Sequence, residues 1–165
     1  LLAKHPTYQT ECALEAQRVL KSIDNESTLD GSKDLPFIYA CFWEALRCYP
    51  PTTMTARNLD RNLVLDMDEK QRVIPKGSRI AFSIYWINRS ERNFPRPDEY
   101  LPERWVQKEQ GEWVQRTAEN DSGEGVAVGR RSSMLSFSAG ARNCVGQPLA
   151  LRMIPTLLAV LLRSF

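Results

Sequence analysis

Phe137-Ser138-Ala139-Gly140-Ala141-Arg142-Asn143-Cys144-Val145-Gly146 is a glycine-bracketed loop that leaves one cysteine standing before an apolar run. Gly140 and Gly146 lack a Cβ, so the backbone can turn there with positive φ and approach a flat partner closely. A thiolate at Cys144 would be favoured by backbone N–H groups at the start of the following helix and by the neighbouring Arg142. That is a setting in which a cysteine sulfur can serve as a metal ligand. A lone cysteine is more often an inert buried hydrophobe, so the rest of the chain has to decide between the two readings.

The chain of 165 residues is 42% hydrophobic and 25% charged, the composition of a soluble globular domain. It starts Leu1-Leu2-Ala3-Lys4 without a methionine and stops at Phe165 after an apolar run, which reads as a fragment cut at both ends. A net charge of +2, a pI near 8.4 and the lack of a long basic run argue against nucleic-acid binding. Cysteines at 12, 41, 48 and 144 form no C-x-x-C, and His5 is the only histidine, so a zinc site has little to be built from. The apolar stretch from Leu149 to Leu162 is interrupted by Arg152 and Pro155. It falls short of the ~20 residues a membrane span needs and reads as a buried helix.

Along the chain, the spacing of Ala13, Leu14, Ala16, Val19 and Leu20 after Pro6 predicts an amphipathic helix. The polar cluster from Ser22 to Lys33 breaks it. Asp34 is placed as the N-cap of a second helix, from about Pro36 through Arg47, stopped by Tyr49-Pro50-Pro51. From Thr53, β-branched residues, Val64-Leu65, the Pro75-Lys76-Gly77 turn and the alternation Ile80, Phe82, Ile84 predict a small antiparallel sheet of three or four strands. A brief helix is expected over Tyr85 to Asn88. Proline-punctuated, irregular chain follows through Phe94-Pro95-Arg96-Pro97-Asp98 and Leu101-Pro102-Glu103-Arg104-Trp105. Residues 107–133 read as an exposed loop or insertion, with Gly123-Glu124-Gly125 as a flexible tip. The last helix is predicted from about Gln147 to Arg163, kinked at Pro155.

Glu44 and Arg47 stand three apart on the second helix and so project from one side. Alone, such a pair is worth ~0.2–0.5 kcal/mol and says little. Its company says more. A Glu-x-x-Arg helix, a small sheet, Pro102-Glu103-Arg104-Trp105 and then the cysteine loop is the motif order of the cytochrome P-450 family, the haem-thiolate monooxygenases. The loop resembles that family's haem-binding signature: Phe, two variable, Gly, one variable, Arg, one variable, Cys, one variable, Gly. Every fixed position is filled.

The resemblance covers most of the 165 residues and implies a mixed α and β fold, mainly α. The chain would be a single partial domain, the C-terminal portion of a family member, with a small antiparallel sheet, an irregular meander, the cysteine loop and a final helix. It implies Cys144 as axial ligand of haem iron, with Phe137 beside the sulfur and Gly140 and Gly146 shaping the loop. Arg142 and Arg57 would meet haem propionates, and Glu44, Arg47 and Arg104 would form a buried structural charge cluster. The implied reaction inserts one atom of dioxygen into an organic, lipophilic substrate. Electrons would come from NADPH through a reductase or ferredoxin, for which Arg130, Arg131 and Arg142 offer a positive surface. The fragment alone is expected to be inactive. For the full-length protein the resemblance implies an intracellular location, at the endoplasmic reticulum membrane if eukaryotic, attached through an N-terminal segment outside this chain. The alternatives are a haem-binding protein without turnover, as a degenerate copy or sensor, and a haem-thiolate isomerase or peroxygenase needing no reductase. The chain departs from the pattern at Met153, where many relatives carry Glu, and at Pro155.

Overall fold

The computed structural model describes residues 1–22, 29–67, 69–117 and 134–164. After a 3-10 turn over Leu2–Lys4, helix α1 (Pro6–Lys21) starts with proline in its first turn, where the missing N–H costs nothing. It buries Cys12, Ala16 and Leu20, one face at four-residue spacing, together with Glu15. Helix α2 (Pro36–Cys48) is buried on nearly every side, from Phe37 through Glu44 and again at Arg47 and Cys48. A helix wrapped all round is the centre of its fold, and α1 and the last helix pack against it.

The predicted Asp34 cap is not what the structure uses. Leu35 is the N-cap and contributes no side-chain bond, while Asp34 Oδ2 accepts the N–H of Asp30 at 2.7 Å. The cap comes from α1 instead: Glu15 accepts the N–H groups of Phe37 at 2.9 Å and Ile38 at 2.8 Å, one on each carboxylate oxygen. A carboxylate there satisfies two orphan donors and meets the positive end of the α2 dipole. Burial still pushes the Glu15 carboxyl up to about 7 from 4.5, although both N–H bonds and Arg18 pull it down. Because the folded-state value is raised, this group's stabilisation is fully present below pH 4.5 and lost as pH rises through about 7. Glu15→Gln in the full-length protein is therefore expected to remove about 3 kcal/mol of pH dependence from denaturant-unfolding stability over that interval. Equal slopes for the two proteins would refute this.

Four strands follow, β1 (Met54–Asn58), β2 (Leu63–Met67), β3 (Lys70–Ile74) and β4 (Arg79–Ser83). They form two antiparallel ladders, β1 with β4 and β2 with β3, rather than one sheet. The break lies where Pro75 has no N–H to give and Gly77 turns at φ 86°; across it Leu59 bonds Gly77 and Ser78, and the Lys76 N–H reaches Asn62 Oδ1 at 2.8 Å. Helix α3 (Ile84–Ile87) is one residue earlier than predicted, capped by Ser83. The meander contains a 3-10 turn over Pro102–Arg104.

The expected loop over 107–133 needs correction at its start. Strands β5 (Val106–Glu109) and β6 (Glu112–Gln115) make a hairpin around Gln110 and Gly111, both at positive φ. It is held to the core because the Trp113 ring stacks on Phe37 at 4.6 Å and its indole N–H reaches Glu11 at 2.9 Å. Residues 118–133, with Gly123, Gly125, Arg130 and Arg131, lie outside the described residues. Helix α4 (Gln147–Arg163) continues through Pro155, which is buried. A Cβ on Gly31 would come within 2.8 Å of the Pro155 ring, so this departure from the family pattern is matched by a glycine packed against it. Among the described residues no helix is long and apolar enough to cross a membrane.

Candidate functional site

The structure brings Glu44, Arg47 and Arg104 together with no exposed surface on any of them. Arg47 grips Glu44 bidentately, Nε to Oε2 at 3.0 Å and Nη2 to Oε1 at 2.8 Å, and Arg104 Nε reaches Oε1 at 3.1 Å. The Leu101 N–H adds a bond at 3.0 Å and the Trp105 indole N–H one at 2.9 Å, so five donors meet one carboxylate. Both guanidinium groups also donate to backbone carbonyls at the end of α3 and in the meander, and Arg47 Nη2 reaches the Cys48 sulfur at 3.0 Å as well. Arg47 bonds Asn88, Pro97 and Glu99, and Arg104 bonds Pro95 and Arg96. Burial draws Arg104 below its ordinary value; Arg47 is equally dehydrated, yet its hold on Glu44 keeps it above its own. Irregular chain with few partners of its own is fixed here by charge-assisted bonds in a dry interior.

Two ties run from this cluster to the cysteine loop. Asn88, whose carbonyl accepts from Arg47, is fully buried. Its amide donates to Ser136 Oγ at 2.9 Å and accepts the Leu135 N–H at 3.2 Å, while Ser136 donates to the Leu46 carbonyl. The second tie is apolar: the Trp43 ring, next to Glu44 on α2, meets the Phe137 ring edge-on at 5.8 Å. Asn88, Trp43 and Trp105 carried no signal of this role in the sequence, since each finds its partner only across the fold.

The loop turns through Ser138 at φ 61° and Gly140 at φ 74°, followed by a 3-10 turn over Gly140–Arg142. Gly140 thus has the expected positive φ. Gly146 does not: it sits at φ −82° as the N-cap of α4. A Cβ there would stand 3.8 Å from the Cys144 sulfur, at ordinary contact distance, so the position lies beside the thiol without being closed to a side chain. Phe137 is linked to Cys144 through the backbone, its carbonyl accepting the Cys144 N–H at 2.8 Å. Arg142 is exposed beside the loop, and Arg57 is exposed on β1 with its guanidinium turned back on Thr55 and the Ala56 carbonyl. His5 lies away from the loop, its ring against Tyr8 and Tyr100.

The other three cysteines are buried. Cys12 and Cys41 hold their sulfurs 3.6 Å apart, burial pushes the Cys41 thiol well up, and burial pushes Cys48 up to about 11. Cys12 and Cys41 behave as small hydrophobes, while the Cys48 sulfur accepts from Arg47 Nη2 at 3.0 Å. Cys144 is the one exposed thiol of the four.

The sequence matches the family model for cytochrome P-450 across residues 1–165. The chain belongs to the cytochrome P-450 family. It is 32% identical to human cytochrome P-450 4F2 and 35% identical to human cytochrome P-450 4F8, over 99% of this chain and 28% of each relative. Mouse leukotriene-B4 omega-hydroxylase 3 is 32% identical over the same share. A six-coordinated cytochrome P-450 from Thermus thermophilus superposes with a TM-score of 0.64 at 27% identity, covering 100% of this chain and 34% of that one. The chain thus spans under a third of the length of these mammalian relatives.

Haem is the cofactor of the cytochrome P-450 family, and the residues present suit it. The exposed thiol of Cys144 stands at the end of an open apolar face of α4 that includes Leu149, Met153 and Leu157, with Val145 98% exposed. Uncovered apolar surface of this extent marks a place for a partner. A soft sulfur donor next to apolar surface, with a cationic side chain at Arg142, is the donor set that an iron porphyrin carrying carboxylates requires.

Proposed function

We propose that this chain supplies the thiolate side of a haem-thiolate monooxygenase whose full-length form inserts one atom of dioxygen into a lipophilic organic substrate. Cys144 is the axial iron ligand, and the observation that carries this is its exposure at the end of the family's loop while the other three thiols are buried. Phe137 fixes the ligand through the bond from the Cys144 N–H to its carbonyl. Gly140 and Gly146 shape the loop, and Arg142 and Arg57 are the residues that would hold the propionates, Arg57 after turning away from Thr55 and the Ala56 carbonyl. Glu44, Arg47 and Arg104 hold the meander on which the loop rests. When bound, a thiolate-ligated haem activates dioxygen by pushing electron density toward it and favouring O–O cleavage.

Electrons come from NADPH through a reductase or ferredoxin. The name of the mouse omega-hydroxylase supports a substrate with a long apolar chain. The mammalian relatives favour the eukaryotic arrangement, an intracellular protein held at the endoplasmic reticulum membrane by a segment outside residues 1–165. These residues form one partial domain, inactive without the remainder.

The reduced carbon-monoxide spectrum of the full-length protein tests the assignment. A red-shifted, thiolate-type Soret band is expected, with substrate oxidation that requires NADPH and the reductase. A band of the neutral-ligand type would overturn the ligand assignment. A thiolate band with reductase-independent turnover would replace the monooxygenase by an isomerase or peroxygenase, and a thiolate band without turnover would leave a binding protein.

A further inference from the structure

We propose that Trp105 is a positioning residue for Cys144, acting through the single hydrogen bond of its indole N–H; this rests on the reading of Cys144 as the iron ligand. Trp105 is 1% exposed and gives its only ring donor to Glu44 Oε2 at 2.9 Å. Glu44 Oε1 takes three donors, from Arg47, Arg104 and Leu101, whereas Oε2 takes two, from Arg47 and Trp105. Without the indole N–H, one face of a dehydrated carboxylate keeps a single partner. A carboxylate in that state turns or draws in water, and α2 moves with it.

The displacement has a route to the sulfur. Trp43 follows the motion of Glu44 as its neighbour on α2, and its ring lies between those of Trp105, at 6.4 Å, and Phe137, at 5.8 Å. Phe137 in turn receives the Cys144 N–H on its carbonyl at 2.8 Å. A shift at Trp43 therefore reaches the bond that orients the ligand. The Phe94 ring also packs against the indole, with centroids 6.1 Å apart.

Two substitutions in the full-length protein separate the donor from the bulk. Trp105→Phe keeps a six-membered ring and loses the N–H. Trp105→His loses the bulk, but its Nε2 occupies the ring position of the indole nitrogen and still donates. The measurement is the rate at which the reduced carbon-monoxide complex converts from the thiolate-type to the neutral-ligand band, together with haem content after purification. Trp105→Phe is expected to convert about tenfold faster or more, the factor one charge-assisted hydrogen bond is worth. Trp105→His is expected to lie between it and the wild type. A Phe variant that retains its thiolate band and haem as well as or better than the His variant, including equal loss in both, would show that only volume matters and overturn the proposal. The wild-type spectrum reports separately on the ligand reading: with no thiolate band in the parent, it is that reading which fails.

Discussion

Cys144→Ser in the full-length protein is expected to eliminate the thiolate-type Soret band of the reduced carbon-monoxide complex and to bring NADPH-dependent oxidation to background. A hydroxyl is a poor donor to iron and does not ionise near neutral pH, so the electronic push that favours O–O cleavage is lost. The loss of turnover should exceed the ~10–100-fold typical of changes among groups that only support a metal ligand. Cys12, Cys41 and Cys48 offer no replacement, since each is buried and Cys41 and Cys48 are held as neutral thiols. Serine at any of those three positions should leave the band in place. Retention of the thiolate spectrum in Cys144→Ser is the result that would remove Cys144 from the mechanism.

Arg47→Ala should be the more destructive change for assembly. It removes both bonds of the bidentate pair to Glu44 and abandons the carbonyls of Asn88, Pro97 and Glu99. Glu44 keeps Arg104, Leu101 and Trp105 but loses two of its five donors, and three carbonyls lose theirs; each buried acceptor left without a donor costs ~1–3 kcal/mol, together a large part of the ~5–15 kcal/mol by which a folded protein is usually stable. The expected result is full-length protein purified without haem. Arg47→Lys should not restore it, because an ammonium cannot reach both carboxylate oxygens and three carbonyls from one planar fork. A haem-loaded, correctly folded alanine variant would show that the cluster is dispensable.

Much of this was legible in the chain, for identifiable reasons. Prolines at 6, 36 and 148 and the apolar periodicity marked where helices begin, because those signals are local. The meeting of Glu44, Arg47 and Arg104 followed from motif order, although no spacing within the chain places residue 104 beside residue 44. What escaped depends on side chains finding partners across the fold. Asp34 had the right chemistry for a cap, but Glu15, on another helix, supplies two oxygens where Asp34 would have supplied one bond. The hairpin at 106–115 has few apolar positions and is recognisable only once Trp113 is seen lying on Phe37. Gly146 was expected to turn with positive φ and instead sits at φ −82°, beside the Cys144 sulfur.

The five-donor carboxylate also sets a timetable for synthesis. Only Arg47 is a near neighbour of Glu44; the other donors lie 57, 60 and 61 residues further on. On a ribosome adding ~5–20 residues per second, roughly 3–12 s separate the emergence of Glu44 from that of the segment that completes its shell. Throughout that interval the apolar surface of α2 is uncovered, the kind of nascent species that associates with other chains. A chaperone able to hold α2 until Trp105 has left the exit tunnel would therefore raise the yield of intact protein, and slowing translation between these two points would lower it.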